Sequence, residues 1–465
     1  MPARKPVVHP YIPNSVPAVK EEMLRAVGAA SVEEFYADIP RELRVEGLLD
    51  LPEPLLSEAE LVRHIDGLLG RNRSTREALS FLGAGCYQHQ VPAVCDEINS
   101  RGEFLTAYAG EPYEDHGRFQ ALFEYQSLMA ELLDMDVVNV PNYDGFQAAA
   151  TALRMACRLT DRGSVLLPAQ LDPDKLSMVR NYLKPDISIG QIPFHPESGL
   201  LDLAALEAAL SPEVAAVYFE NPGYLGGLET QADRISTAAH AAGALCVVGV
   251  NPLSLGVVRP PSQYGADLVC GDIQSLGIHM HYGGGHGGFI AADDDPRVVM
   301  EFPSRLFGIA PTVVEGEYGF GDVAYERTSF ARREEGKEWV GTAAALWGIT
   351  AGVYLALMGP QGMTEIGEGL MQRCRYLMGR VGAIPGLEVP FAATPHFTEF
   401  VVTCRGLGRT AAQVNAALLE RGIFGGKDLS AEFPALGQSL LLCVSEVHTR
   451  ADLDRLVAAL EDVAR

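Results

Sequence analysis

From about residue 119, short β-branched runs take turns with segments of helical periodicity, an order that few architectures accept. RFQALFEYQSLMAELLDM carries apolar residues at helical spacing and gives way to VVNV. GFQAAATALRMACRL reads as a second helix, rich in small residues. SVLLP, ISIGQIPF, VAAVYFE, ALCVVGV and DLVCG follow as short strands separated by helical patterns. Strands that alternate with helices are joined by right-handed crossovers, so the order predicts an α/β fold with a mainly parallel sheet. IHMHYGGGHGGFIA closes the series as a glycine-laden turn into a last strand.

The flanks differ from this middle. Residues 1–80 read as an N-terminal helical arm, with proline-bounded loops (ADIPREL, LDLPEPLLSEAELVRHI) and no evident strand. Residues 81–340 form the large α/β domain. A long helix from Val340 to Leu357 opens the segment 341–465, where HFTEFVVTC and LLLCVSEV read as strands of a small α/β domain. AAQVNAALLERG and RADLDRLVAALEDVA supply its helices.

Several functions are disfavoured at once. The formal charge of −24 repels phosphate backbones and anionic membranes, so nucleic acid is not expected as a partner. No apolar run is long enough for a membrane helix, and MPARKPVVHPYIPN lacks the apolar stretch of a signal peptide. The eight cysteines are scattered, with no CxxC pair, so they read as reduced, metal-free and cytoplasmic. There is no P-loop, and GGGHGG lacks the dinucleotide spacing. His279, His281 and His286 share one loop and read as hydrogen-bonding groups rather than metal ligands.

Four segments can carry chemistry. FLGAGCYQHQVPAV sets Tyr87 and His89 behind a Gly83-Ala84-Gly85 turn, either a ligand loop or a tight turn with surface aromatics. VNVPNYDGFQAAATAL puts Asp144 at a helix start, as an ordinary cap or beside an anion site. The run from Val247 to Phe289 has the order in which fold-type I pyridoxal phosphate (PLP) enzymes set their site, yet Asn251 stands at the aspartate position and no lysine follows the next strand. The six lysines (Lys5, Lys20, Lys175, Lys184, Lys337 and Lys427) all fall elsewhere, so independent PLP chemistry is not expected. Finally, Arg327, Arg332, Arg333 and Lys337 stand among Glu326, Glu334, Glu335 and Glu338, as an anion clamp or an ion-pair network.

ADIPREL, FLGAGCYQHQVPAV, SRGEFLTAY, FEYQSLMAELLDMDVVNVPNYDG, PLSLGVVRPPSQYGADLV with GDIQSLGI, and LMGPQGM together resemble the α subunit (subunit 1) of the two-chain glycine decarboxylase, the P-protein of the glycine cleavage system. The resemblance implies an aspartate aminotransferase-like, fold-type I PLP-transferase architecture and an α2β2 tetramer. It also implies that PLP is bound by the β subunit and not covalently by this chain, where Ser275 stands at the lysine position. Glycine would be decarboxylated on PLP and its aminomethyl group passed to the lipoyl H-protein. Tyr87, His89, Tyr108, Arg332, Arg333, Lys337 and Thr342 are then interface or substrate candidates, with Asp144 and Asn251 as remnants of a cofactor site. Departures from the family pattern occur at AGEPYEDHGR, at FARREEGKEWVGT and at Asn251. They leave open a paralogue acting on another small amine or amino acid, or a non-catalytic scaffold.

Overall fold

A computed structural model describes residues 8, 9, 11–45, 49–105, 116–323, 325–341 and 343–465. The chain divides into two compact units, Met1–Asn72 and Arg73–Arg465. In the first, helices α1 (Pro17–Ala26) and α2 (Glu58–Leu69) are joined by short helical turns. None of its described residues is buried, and Tyr11, Leu43 and Leu56 are exposed.

The second unit is built on a seven-stranded sheet. Its strands are β1 (Val137–Val138), β2 (Ser164–Pro168), β3 (Ser188–Ile192), β4 (Val214–Glu220), β5 (Leu245–Val250), β6 (Leu268–Asp272) and β7 (Gly288–Ala292), in the order β1-β7-β6-β5-β4-β2-β3. Pairs from β3 across to β6 are parallel, while β7 runs antiparallel to both β6 and β1. Alternate residues feed opposite cores, because side chains along a strand alternate in direction. Val217, Phe219, Val248 and Val269 enter one cluster; Ala216, Tyr218, Val247 and Cys270 enter the other. With both faces covered, the strands are continuously apolar rather than alternating.

Helix α3 (His116–Leu133) supplies Tyr125, Met129 and Leu133 to the first core. Helices α4 (Gly145–Thr160) and α5 (Pro173–Leu183) pack in the second, where the alanines of α4 are buried. Such small side chains let a helix axis approach a sheet closely.

Helix α6 (Ala345–Gly382) departs from the sequence expectation of a helix ending at Leu357. It breaks at Gly359, which takes φ 58° ahead of Pro360, and then resumes. Proline lacks the amide for the intrahelical bond, so the interruption falls there. Tyr354 and Leu370 join the large core, whereas Cys374, Leu377 and Val381 join the C-terminal one. That core lies against strands β8 (Glu399–Thr403), β9 (Lys427–Asp428) and β10 (Ser439–Cys443), antiparallel in the order β8-β10-β9. Helices α7 (Ala411–Glu420) and α8 (Arg450–Ala464) each open with a Thr capping box. An antiparallel hairpin, Phe307–Pro311 with Tyr318–Asp322, was not expected from the sequence.

Candidate functional site

In open parallel sheets, ligands gather beyond the carboxyl ends of the strands. Here Glu220 ends β4, Asn251 follows β5 and Asp272 ends β6, and all three line one cavity of about 460 Å³. The Ala84–Tyr87 loop, the first residues of α4 and α5, and Thr398, Glu399 and Lys427 complete its wall.

The loop enters through two left-handed residues, Ala84 at φ 63° and Gly85 at φ 98°. For a residue with a Cβ that conformation is strained, and it is held by surrounding bonds. The Ala84 amide donates to Glu399 Oε1 at 2.7 Å, and the Tyr87 hydroxyl donates to Glu399 Oε2 at 2.9 Å. Burial pushes the Glu399 carboxyl up to about 7, despite these two donors. Burial and the neighbouring Glu399 push the Tyr87 phenol well above its ordinary value.

At the start of α4, Asp144 Oδ1 accepts from the Gln147 amide at 2.7 Å, an N-cap. Asp272 Oδ2 accepts from the Gly145 amide at 2.8 Å and lies 3.1 Å from His286 Nδ1. Replacing Asp144 by Ala should lower stability by about 1 kcal/mol, readable by urea denaturation, with Asp144→Asn recovering most of it.

A partly buried ion pair lies in the same wall. The Lys175 amine bonds Glu220 Oε1, which also accepts from the Tyr218 hydroxyl at 2.9 Å. Burial opposes the charge on Lys175, but the attraction of Glu220 outweighs it and holds the amine above its ordinary value.

The residues present do not fit PLP. Amides at the start of α4, where a phosphate would be received, are satisfied by the carboxylates of Asp144 and Asp272, whose charge would repel it. Asn251 Oδ1 accepts from the Leu253 amide at 3.1 Å and from the Ser275 hydroxyl at 3.2 Å. The Asn251 and Ser275 side chains bond each other, so an amide stands where an acid would meet a pyridinium and a hydroxyl where an amine would meet an aldehyde. Two amines that the sequence reading placed elsewhere, Lys175 and Lys427, do line the cavity, but they are paired with Glu220 and Glu432.

Of the residues singled out in the sequence, Tyr87, Asp144, Asn251 and Ser275 meet in this cavity. His89 does not line it: buried, its Nδ1 sits 3.0 Å from Glu446 Oε2. Arg332 and Arg333 are exposed on a short helical segment, Ser329–Glu335, which kinks at Arg333 (φ 51°). Lys337 is half-buried, and its amide donates to Ser329 Oγ at 2.8 Å. Just beyond that segment, Glu338 bonds Arg154 and Arg158 of α4. Tyr108 and Thr342 lie outside the described residues. Among the described residues no cluster of metal-ligating side chains occurs: His279 faces Asp96, His281 stacks on Trp347 and His286 faces Asp272.

Sequence reasoning missed Lys175, Glu220, Asp272, Glu399 and Lys427. For Glu220 and Asp272 a signal existed, since each ends a strand of the parallel series. Glu399 and Lys427 come from the C-terminal domain, and nothing local in the sequence joins them to the sheet.

A parallel sheet with one antiparallel strand, and a strand-end cavity over it, make this a fold-type I PLP-transferase architecture. The family model for the glycine cleavage system P-protein matches residues 9–460, and the chain belongs to that family. A probable glycine dehydrogenase (decarboxylating) subunit 1 of Staphylothermus marinus is 37% identical over 464 residues, covering 98% of both chains. One of Chlorobium limicola is 39% identical over 458 residues, covering 97% of this chain and 99% of that one. A crystal structure of glycine decarboxylase (P-protein) of the glycine cleavage system, in inhibitor-bound form, superposes with a TM-score of 0.83 at 35% identity. It covers 98% of this chain and 100% of its own.

Proposed function

We propose that this chain is the α subunit of a two-chain glycine decarboxylase, working with a lysine-bearing β subunit and the lipoyl H-protein in an α2β2 tetramer. The observation that carries the reading is the strand-end cavity closed to PLP inside a chain that matches the P-protein family end to end. PLP, the electron sink for decarboxylation, is then held by the partner chain. This chain's part is to complete the site across an interface, orienting the glycine carboxylate and excluding water. Exposed Arg332 and Arg333 suit a carboxylate or an acidic partner surface, and Tyr87, His89, Tyr108, Lys337 and Thr342 are further candidates. The exposed apolar residues of the Met1–Asn72 unit suit burial against a neighbouring chain. All eight cysteines are free, which suits the reducing cytoplasm.

The test is glycine-dependent exchange of labelled CO₂. Exchange is expected only when this chain, the β chain and H-protein are combined. Decarboxylation of glycine by this chain alone with free PLP would overturn the division of roles. Arg332→Ala and Arg333→Ala should each lower turnover roughly tenfold or more in an intact complex, the size of a lost charge-assisted hydrogen bond. Unchanged turnover in both would point to a purely structural subunit.

A further inference from the structure

Three polar side chains of the cavity wall have hydrogen-bonding capacity that no described residue uses. Asn251 Oδ1 accepts from the Leu253 amide and the Ser275 hydroxyl, which fixes the side chain with its oxygen turned to those two donors. Its NH₂ is left to the cavity, with no partner among the described residues. On the neighbouring strand, Glu220 Oε1 takes Lys175 and the Tyr218 hydroxyl, while Oε2 bonds no described residue. Glu220 is in register with Gly249 of β5, so it shares a sheet face with Asn251, two residues further on. Adjacent strands lie about 4.8 Å apart, so one small molecule can meet both side chains. Thr398, just before β8, reaches the same cavity from the C-terminal domain. It is only 4% exposed, and its hydroxyl bonds no described residue. Hydroxyls buried so deeply are ordinarily paired, so this one points to a ligand.

The charge of the wall selects the class of ligand. Six carboxyl groups line the cavity against two amines and one imidazole, and the Lys427 amine is drawn to Glu432 at 3.0 Å. That balance attracts cations and repels anions. No group of side chains among the described residues is arranged to hold a metal ion, so the cation is an organic one. Glu220 and Thr398 supply acceptors for an ammonium, and the Asn251 NH₂ supplies a donor for an uncharged oxygen. We propose that the cavity binds a small primary amine that also bears a neutral oxygen acceptor, as in an amino alcohol, amino ether or amino amide, with the ammonium on Glu220 and Thr398 and the oxygen on Asn251. This site goes beyond the proposed part in glycine decarboxylation and does not depend on it.

The test is a ligand-observed NMR titration of the full-length chain with four compounds of similar shape: 2-methoxyethylamine, butylamine, 2-methoxyethanol and methoxyacetate. 2-Methoxyethylamine should saturate a single site per chain. Butylamine, which lacks the oxygen, should bind about fivefold more weakly, the size of one neutral hydrogen bond. The uncharged alcohol and the anion should each bind at least about tenfold more weakly, for want of the ammonium. Thr398→Val, close in shape, should weaken 2-methoxyethylamine about fivefold. The double variant Glu220→Gln with Lys175→Met leaves the net charge of the wall unchanged, yet should weaken it about tenfold or more, because the charge-assisted bond is lost. Asn251→Asp, whose oxygens can still accept from Leu253 and Ser275, should erase the preference over butylamine, since a carboxylate has no proton for the ether oxygen. If the variants fold poorly, the ranking of the four compounds by the wild-type chain still decides. 2-Methoxyethylamine bound no more tightly than 2-methoxyethanol, or equally well by folded Thr398→Val and the folded double variant, would overturn the proposal.

Discussion

Lys175→Met should cost the fold about 3 kcal/mol, the low end for breaking a buried pair, because it strands Glu220 as a largely desolvated, unpaired charge. The side chains of Lys175 and Glu220 are only 14% and 12% exposed, so water can replace little of what each gives the other. Tyr218 would remain as a donor to Glu220 Oε1, but a neutral hydroxyl offsets a small part of the loss. The neighbouring Asp172, which caps α5 by accepting from the Asp174 and Lys175 amides, adds repulsion once the amine is gone. The double variant Lys175→Met with Glu220→Gln should regain much of the stability, since removing both charges removes the desolvation they required. Urea denaturation of the single and double variants measures the coupling. A single variant within about 0.5 kcal/mol of wild type would mean that water enters this wall of the cavity and screens the pair.

How far the sequence speaks is visible in these same residues. The strands beneath the cavity are legible because burial on both faces makes them continuously apolar: VAAVYFE and ALCVVGV match β4 and β5 nearly residue for residue. Asn251 and Ser275 are legible as positions because β5 and β6 are neighbours and their ends point the same way. Lys175 is not. It lies on a helix whose amphipathic pattern says which face meets the sheet, but not that its first turn overhangs the end of β4. Glu399 is further still, since EFVVT reads as an ordinary strand whose first residue should be solvated. Only the packing of the C-terminal domain over the loop at Ala84 buries it. The break at Gly359-Pro360 misled for the opposite reason: a proline that ends most helices here interrupts one that is held on both sides of the break by the same core, through Tyr354 before it and Met363 and Leu370 after it.

Glu399→Gln should make the protein more stable at alkaline pH and leave it little changed near pH 5. Burial raises the carboxyl of Glu399 from its ordinary 4.5 to about 7, so the folded chain holds this proton more tightly than the unfolded one. The resulting contribution is fully present below pH 4.5 and is lost as pH rises through 7. Above that point the ionised, buried carboxylate penalises the fold by roughly 3 kcal/mol, the equivalent of a shift of this size. Glutamine does not titrate. Its amide oxygen can still accept from the Ala84 amide, and its NH₂ can donate to the Tyr87 hydroxyl, which need only rotate to accept. The stability gap between variant and wild type, measured by urea denaturation, should therefore open from under about 1 kcal/mol near pH 5 to roughly 3 kcal/mol near pH 8. A gap that stayed constant over that range would mean Glu399 ionises at its ordinary pH, and that the loop at Ala84 and Tyr87 opens to solvent more than its hydrogen bonds imply.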